Sequence, residues 1–144
     1  MNKKFYLLLM TAMMVAILSS GVLSCSKDDE EGKTELLVSL KDSGGFGIDG
    51  QIFIFPDGEY DETSFSFLSS FGSINKKNGE IVSGIAVGSV VKNNYSTYEC
   101  SPGRYYIRAI HFPETNSGIP RVKGGGAYAT AIKNKSTVVE ITVK

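Results

Sequence analysis

Histidine and cysteine are scarce in this chain, which has one histidine and two cysteines among 144 residues. So few nitrogen and sulfur ligands leave almost no material for a Cys/His metal cluster, and we expect no cofactor. A surplus of one charge is also missing, because 15 basic residues balance 15 acidic residues. A nucleic-acid-binding protein would show a basic excess or a Lys/Arg stripe, so the sequence predicts no nucleic-acid partner.

Residues 1–24 have the pattern of a secretory signal peptide. Lys3 and Lys4 precede the uncharged run FYLLLMTAMMVAIL, and small residues follow it. A basic start, a short apolar segment and small residues before a cleavage site are typical of such peptides. The 19 residues of Phe5–Leu23 are close to the ~20 that cross a bilayer, so a membrane-spanning helix is the alternative.

The end of this segment, Val22-Leu23-Ser24-Cys25, resembles the lipobox of bacterial lipoproteins. The resemblance implies cleavage before Cys25 and acylation of its thiol, which would attach the protein to a membrane. A thiol suits this chemistry because its thiolate is a good nucleophile. Several acyl chains anchor a protein stably, whereas one chain binds marginally. A free or disulfide-bonded Cys25 is the alternative.

Cys25 is followed by the acidic stretch SKDDEEG, so residues 25–33 are predicted to form a flexible tether. The stretch resembles the export signal of certain Gram-negative surface lipoproteins. That resemblance implies a lipid-anchored protein of the outer membrane, exposed at the cell surface. An anchor that faces the periplasm is the alternative.

Residues 34–144 are predicted to form one all-β domain, because apolar alternation and β-branched or aromatic runs replace any helical period. About seven short strands suggest a single antiparallel two-sheet β-sandwich. Gln51–Phe55 is apolar on both faces, as a strand covered on both sides would be.

Turn residues predict three β-hairpins. Asn78-Gly79 is the commonest two-residue hairpin signal, here between Ser64–Ile74 and Glu80–Val91. Pro102-Gly103 has the chemistry of a type II turn between Tyr95–Cys100 and Arg104–Phe112. The third hairpin joins Gly126–Ile132 to Thr137–Val143, and the glycines within Ser83–Gly88 predict a bulge or a broken strand.

Three segments resemble the prealbumin-like sandwiches, namely the carboxypeptidase regulatory-like domains and the Cna B-type repeats of bacterial surface proteins. They are LLVSLKDSGGFGIDGQIFIF from Leu36, YECSPGRYYI from Tyr98, and the terminal AIKNKSTVVEITVK. The resemblance covers both ends of the domain and leaves Asp57–Asn94 unmatched.

The predicted hairpin around Pro102 offers the best candidate binding face. Strand alternation turns Cys100, Tyr105, Ile107 and Ala109 inward and leaves the other side chains outside. Exposed tyrosines could stack on sugar rings, and arginines could pair with carboxylates or hydroxyls. Ordinary cross-strand pairing is the alternative. The candidate face consists of Tyr95, Glu99, Arg104, Tyr106 and Arg108.

A weaker candidate is the acidic loop PDGEYDE, where Asp57, Glu59 and Asp61 alternate and could offer oxygen ligands to Ca²⁺. The spacing is not that of an EF-hand loop, so a solvated acidic loop is the simpler interpretation and no metal site is predicted.

These features predict a non-enzymatic, surface-anchored lipoprotein that serves as a binding or adhesion module for a protein or glycan partner. The alternative is a structural, assembly or spacer module of a cell-surface complex, such as a fimbria-like or nutrient-uptake complex. An enzyme is not expected, because no base, nucleophile pair or metal site stands out. Fold class alone does not decide among these functions.

Overall fold

The computed structural model describes residues 32–114, 118 and 121–144. The predicted signal peptide, the lipobox with Cys25 and nearly all of the acidic tether therefore lie outside the described residues. Within the described ranges, no helix is long and apolar enough to cross a bilayer.

The described residues form an all-β, broadly sandwich-like fold, as expected. They contain ten strands in three sheets, so the expected count of about seven strands in two sheets is wrong. The strands are β1 (Glu35–Lys41), β2 (Gly50–Pro56), β3 (Tyr60–Ser66), β4 (Ser73–Lys76), β5 (Ile81–Ser83), β6 (Ala86–Val90), β7 (Ser96–Glu99), β8 (Gly103–His111), β9 (Lys123–Ala131) and β10 (Ser136–Thr142).

The first sheet has the strand order β10-β1-β7 and the second sheet has the order β6-β2-β8-β9. Together these two sheets hold seven strands. The third sheet, β3-β4-β5, forms from the stretch that matched none of the family motifs. The expectation of a wholly antiparallel sandwich is also wrong, because β1 pairs in parallel with β10, with Leu36 opposite Thr137.

Two of the three predicted hairpins are wrong for the same reason. The turn at Pro102 joins β7 of the first sheet to β8 of the second, and the turn after Ile132 joins β9 to β10 across the sheets. The turn residues reverse the chain as predicted, but the strands on either side pair with other partners. Each turn is therefore a corner between two layers.

The hairpin predicted at Asn78-Gly79 is present, since β4 and β5 pair across these two residues. Lys76 N donates a hydrogen bond to Glu80 O, so three residues form the loop between them. Gly79, at φ 88°, provides the left-handed conformation that such a loop needs. The predicted break near Gly84 is also present. It separates β5 in the third sheet from β6 in the second.

The main core lies between the first and second sheets and includes Leu36, Val38, Ile52, Ile107 and Ile141. A second core lies on the other face of the second sheet, where the third sheet covers it. Its members are Phe53, Phe55, Tyr60, Ile74, Tyr106 and Ile110. The central part of β2 is thus buried on both faces, which confirms the interpretation of the QIFIF run.

The two ends of β1 define two ends of the domain. We call the end near Glu35 the proximal pole and the end near Lys41 the distal pole. At the proximal pole, Thr34 O accepts a hydrogen bond from Cys100 N (3.0 Å), and Thr34 Oγ1 accepts one from Asn134 N (2.8 Å). At the distal pole, about 20 Å away along the seven residues of β1, lie the turns Asp42–Gly47 and Val91–Asn94. The chain therefore begins its first strand at the proximal pole.

Candidate binding surface

The five residues of the candidate binding face do not lie on one surface. Tyr95 precedes β7 and Glu99 ends it, both beside the first sheet, whereas Arg104, Tyr106 and Arg108 belong to β8 in the second. The reason is the corner at Pro102, which sends β7 and β8 into different layers. The predicted hairpin face is therefore absent.

Tyr106 is wholly buried, which corrects its assignment to an exposed face. The alternation itself was right, since Ile107 and Ala109 point into the main core and Tyr106 points the other way. The third sheet covers that other side, and the Tyr106 ring lies 5.2 Å from the Tyr60 ring and 5.0 Å from the Tyr128 ring between centroids. Tyr106 is thus a core residue.

Burial gives Tyr106 unusual electrostatics. Loss of hydration, with a smaller contribution from the Glu62 carboxylate, raises the pKa of the Tyr106 phenol to about 12. Its hydroxyl is buried and makes no hydrogen bond of good geometry, although Arg108 and Glu62 lie close enough to shift its pKa in opposite directions. An orphaned hydroxyl of this kind costs stability, so Tyr106 carries a penalty that its ring packing must offset.

The charged members of the candidate face make local pairs. Arg104 Nη1 lies 3.4 Å from Asp57 Oδ1, and its guanidinium carbon lies 4.2 Å from the centre of the Tyr128 ring. Arg108 Nη1 lies 3.5 Å from Glu62 Oε2. Both arginines are thus paired with acidic side chains of the domain itself, although neither Asp57 nor Glu62 lies on a strand that pairs with β8.

Glu99, at the proximal pole, pairs with Lys33. The Lys33 Nζ atom lies 2.5 Å from Glu99 Oε1, and this hydrogen bond raises the pKa of the exposed Lys33 ammonium. Exposed pairs of this kind contribute little stability. Glu99 and Tyr95 lie at opposite ends of β7, so these two members of the candidate face belong to opposite poles of the domain.

The acidic loop does not gather its three carboxylates. Asp57 pairs with Arg104, Glu59 lies 3.2 Å from Lys77 Nζ, and Asp61 accepts hydrogen bonds from the amide and hydroxyl of Thr63. The Thr63 hydrogen bonds lower the pKa of Asp61. Across the described ranges, no three Asp, Glu, His or Cys side chains are grouped so that they could hold a metal ion.

Cys100 is half-buried and packs against the main core, as its predicted inward orientation requires. Burial raises the pKa of its thiol. His111 lies at the distal end of β8, where its Nδ1 is 3.1 Å from Asp49 Oδ1. The one histidine and the described cysteine thus occupy opposite ends of the domain.

Of the five residues of the candidate binding face, Tyr95 lines a cavity in the described part of the chain. It stands 56% exposed at the distal pole, beside a depression of about 280 Å³ that we call the distal cavity. The cavity lies where the turns Asp42–Gly47 and Val91–Asn94 meet the ends of β1 and β10. It is lined by Ser39, Leu40, Lys41, Gly45, Gly47, Asn93, Asn94, Tyr95 and Glu140.

Sequence reasoning missed Asn93 and Asn94. Adjacent asparagines between two apolar segments are a turn signal, since asparagine tolerates the left-handed conformation that Asn93 adopts at φ 62°. No local pattern shows that this turn meets the Asp42–Gly47 turn, because the two are more than 40 residues apart. The contact is close, and a Cβ atom on Gly47 would overlap the Asn93 side chain.

The chain matches no known family model, and no curated protein is significantly similar to it.

Proposed function

We propose that this protein is a non-enzymatic lipoprotein, anchored in the outer membrane through Cys25, whose β-domain binds a protein or glycan partner at the cell surface. The position of the two poles supports one part of the proposal, the presentation of a binding surface away from the tether. Lys33 and Thr34, which lead into β1, contact Glu99 and Asn134 at the proximal pole, so a tether to the membrane would join the domain there. The distal pole is the end of the domain opposite that attachment point.

The lipobox motif and the acidic stretch after Cys25 support the anchor and its surface display. We also propose that the β-domain is a sandwich of the prealbumin-like type. Its support is the order of the three motif segments along the chain, together with the seven strands of the first two sheets. The third sheet is then an addition between β2 and β6.

Five of the six sheet edges, all except that of β10, favour binding over assembly by strand addition. β6 lies against β7, where a Cβ atom on Gly88 would be 2.8 Å from Ser96 Oγ. β9 is tied to the C-terminal end by two hydrogen bonds between the backbones of Gly124 and Lys144. In the third sheet, β5 has only three residues and the charged β3 has a register shift. Short, charged or irregular edges discourage pairing with another chain.

The anchor is tested by expressing the full chain in a Gram-negative host supplied with labelled palmitate. We expect label on the wild-type chain and on a Cys100→Ala variant, and none on Cys25→Ala. Protease added to intact cells should remove the domain from the wild type. A labelled Cys25→Ala variant would overturn the anchor, and a protected domain would overturn surface display.

A further inference from the structure

The distal cavity presents hydrogen-bonding groups of mixed character beside an aromatic ring. The amides of Asn93 and Asn94 each offer a donor and an acceptor, and Ser39 adds a hydroxyl. Tyr95 supplies an exposed flat ring at the edge. Sugar hydroxyls donate and accept at once, and the C–H face of a sugar ring packs on an aromatic face. The cavity therefore has the two kinds of contact that a sugar unit uses.

The charges at the cavity favour an uncharged ligand. Lys41 Nζ lies 2.6 Å from Glu140 Oε2, so the two charged side chains that line the cavity neutralise each other. A phosphate or carboxylate ligand would need an unpaired cation, and a basic peptide would need an unpaired acid. Neither charge is available at this cavity without breaking the ion pair.

The size of the distal cavity and the fixed position of Asn93 limit the class of ligand further. At about 280 Å³ the cavity is smaller than the ~300–1,000 Å³ of drug-sized sites, which suits one sugar ring. Asn93 is held in place, because its left-handed backbone and the absent side chain of Gly47 let its amide lie against the neighbouring turn. Preorganised polar groups lose little entropy on binding.

We infer that the distal cavity binds a neutral sugar unit of a glycan, with Tyr95 stacking on the ring and Asn93 and Asn94 hydrogen-bonding its hydroxyls. This inference rests on the proposed function, since it names the ligand class of the binding domain. It places that ligand at the end of the domain opposite the point where a tether would join.

The test uses the full lipidated chain in a detergent without a sugar headgroup, applied to immobilised oligosaccharides that end in glucose, galactose, mannose or N-acetylglucosamine. We expect binding to at least one of these terminal sugars. Tyr95→Ala should lower the affinity at least tenfold. Asn93→Gly, which keeps the left-handed backbone and removes the amide, should also lower it.

Phe46→Ala is the matched control, because Phe46 is 72% exposed on the Asp42–Gly47 turn but does not line the cavity. It should bind as the wild type does, and the thermal unfolding of all three variants should confirm that they are folded. Failure to bind any of the four sugars, or an equal loss in Phe46→Ala and Tyr95→Ala, would overturn the inference. A palmitate-labelled, protease-accessible chain that binds no sugar would leave the anchor and the surface display standing.

Discussion

The phenolic oxygen of Tyr106 occupies the space that a side chain on Gly126 would need. Tyr106 is on β8 and Gly126 is on the neighbouring β9, on the face that the third sheet covers. The absence of a Cβ atom on Gly126 therefore permits the close approach of a large ring from the adjacent strand. This contact explains a glycine in the middle of a strand, where glycine is otherwise unfavourable.

Substitution of Gly126 by alanine should destabilise the domain by about 1–3 kcal/mol, the usual cost of overpacking a core. The new Cβ atom would overlap Tyr106 Oη and lie 2.8 Å from its Cζ. Urea unfolding measures the change. In a Tyr106→Phe background the penalty should shrink but not vanish, because the Cζ contact remains. An unchanged or increased stability of Gly126→Ala would contradict this account of the pair.

Stability should fall steeply in alkali. The pKa of Tyr106 is about 12 in the fold, against about 10 for an unfolded tyrosine. Above pH 10 the unfolded chain binds fewer protons than the folded chain. Each further pH unit, up to the pKa in the folded state, therefore lowers the free energy of unfolding by about 1.4 kcal/mol for a tyrosine shifted in this way. Burial raises the pKa values of Tyr60, Tyr98 and Tyr105 as well, in the same direction.

Denaturant unfolding at pH 8, 10 and 11 measures this slope, and Tyr106→Phe is the control. The variant lacks the ionisable group, so its stability should fall less between pH 10 and 11 than that of the wild type. At pH 8 it should be at least as stable, because the orphaned hydroxyl is gone. Identical slopes for the two proteins would show that Tyr106 titrates normally.

The third sheet should be an integral part of the fold. Ile74, on the central strand β4, is fully buried in the second core, so Ile74→Ala should cost about 2–5 kcal/mol of unfolding free energy. Ile81 lies on the adjacent β5 but is 73% exposed, and Ile81→Ala should change stability by less than about 0.5 kcal/mol. Equal effects of the two substitutions would show that the third sheet does not cover the second.

A thiol count tests the fate of both cysteines. If Cys25 is acylated as proposed, the membrane-extracted chain should release one reactive thiol per molecule when it is unfolded without reductant. In the folded chain this thiol should react slowly, because Cys100 is half-buried and burial raises its pKa. Cys100→Ser should abolish the signal. Two thiols in the wild type would indicate that Cys25 is free. No thiol would indicate that Cys25 and Cys100 form a disulfide.

Local patterns predicted much of the fold. The two-faced apolar run at Gln51–Phe55 indicated a strand buried on both sides, and Ile52 and Phe53 do enter different cores. Asn78-Gly79 indicated a hairpin that is present, and the glycines after Ser83 indicated a break that is present. These signals succeed because alternation and turn chemistry depend only on neighbouring residues.

The candidate site was harder to predict. The alternation in β8 correctly separated Tyr106 from Ile107, but exposure depends on what lies above a face, and β3–β5 lie above this one. Pro102-Gly103 correctly indicated a reversal, but a reversal does not determine which strand the next segment pairs with. Pairing is decided by hydrogen bonds and shared burial along the whole length of β8, which pairs with β2 and β9.

The sequence by itself therefore determined the all-β class, the position of most strands and turns, and the orientation of alternate side chains. Only the tertiary structure decided that Tyr106 is buried, that β1 pairs in parallel with β10, and that the turns carrying Gly47 and Asn93 meet beside Tyr95. The physical reason is the distance along the chain over which each kind of interaction acts. Backbone preferences act over a few residues, whereas sheet membership and cavity formation depend on contacts between segments far apart in the chain.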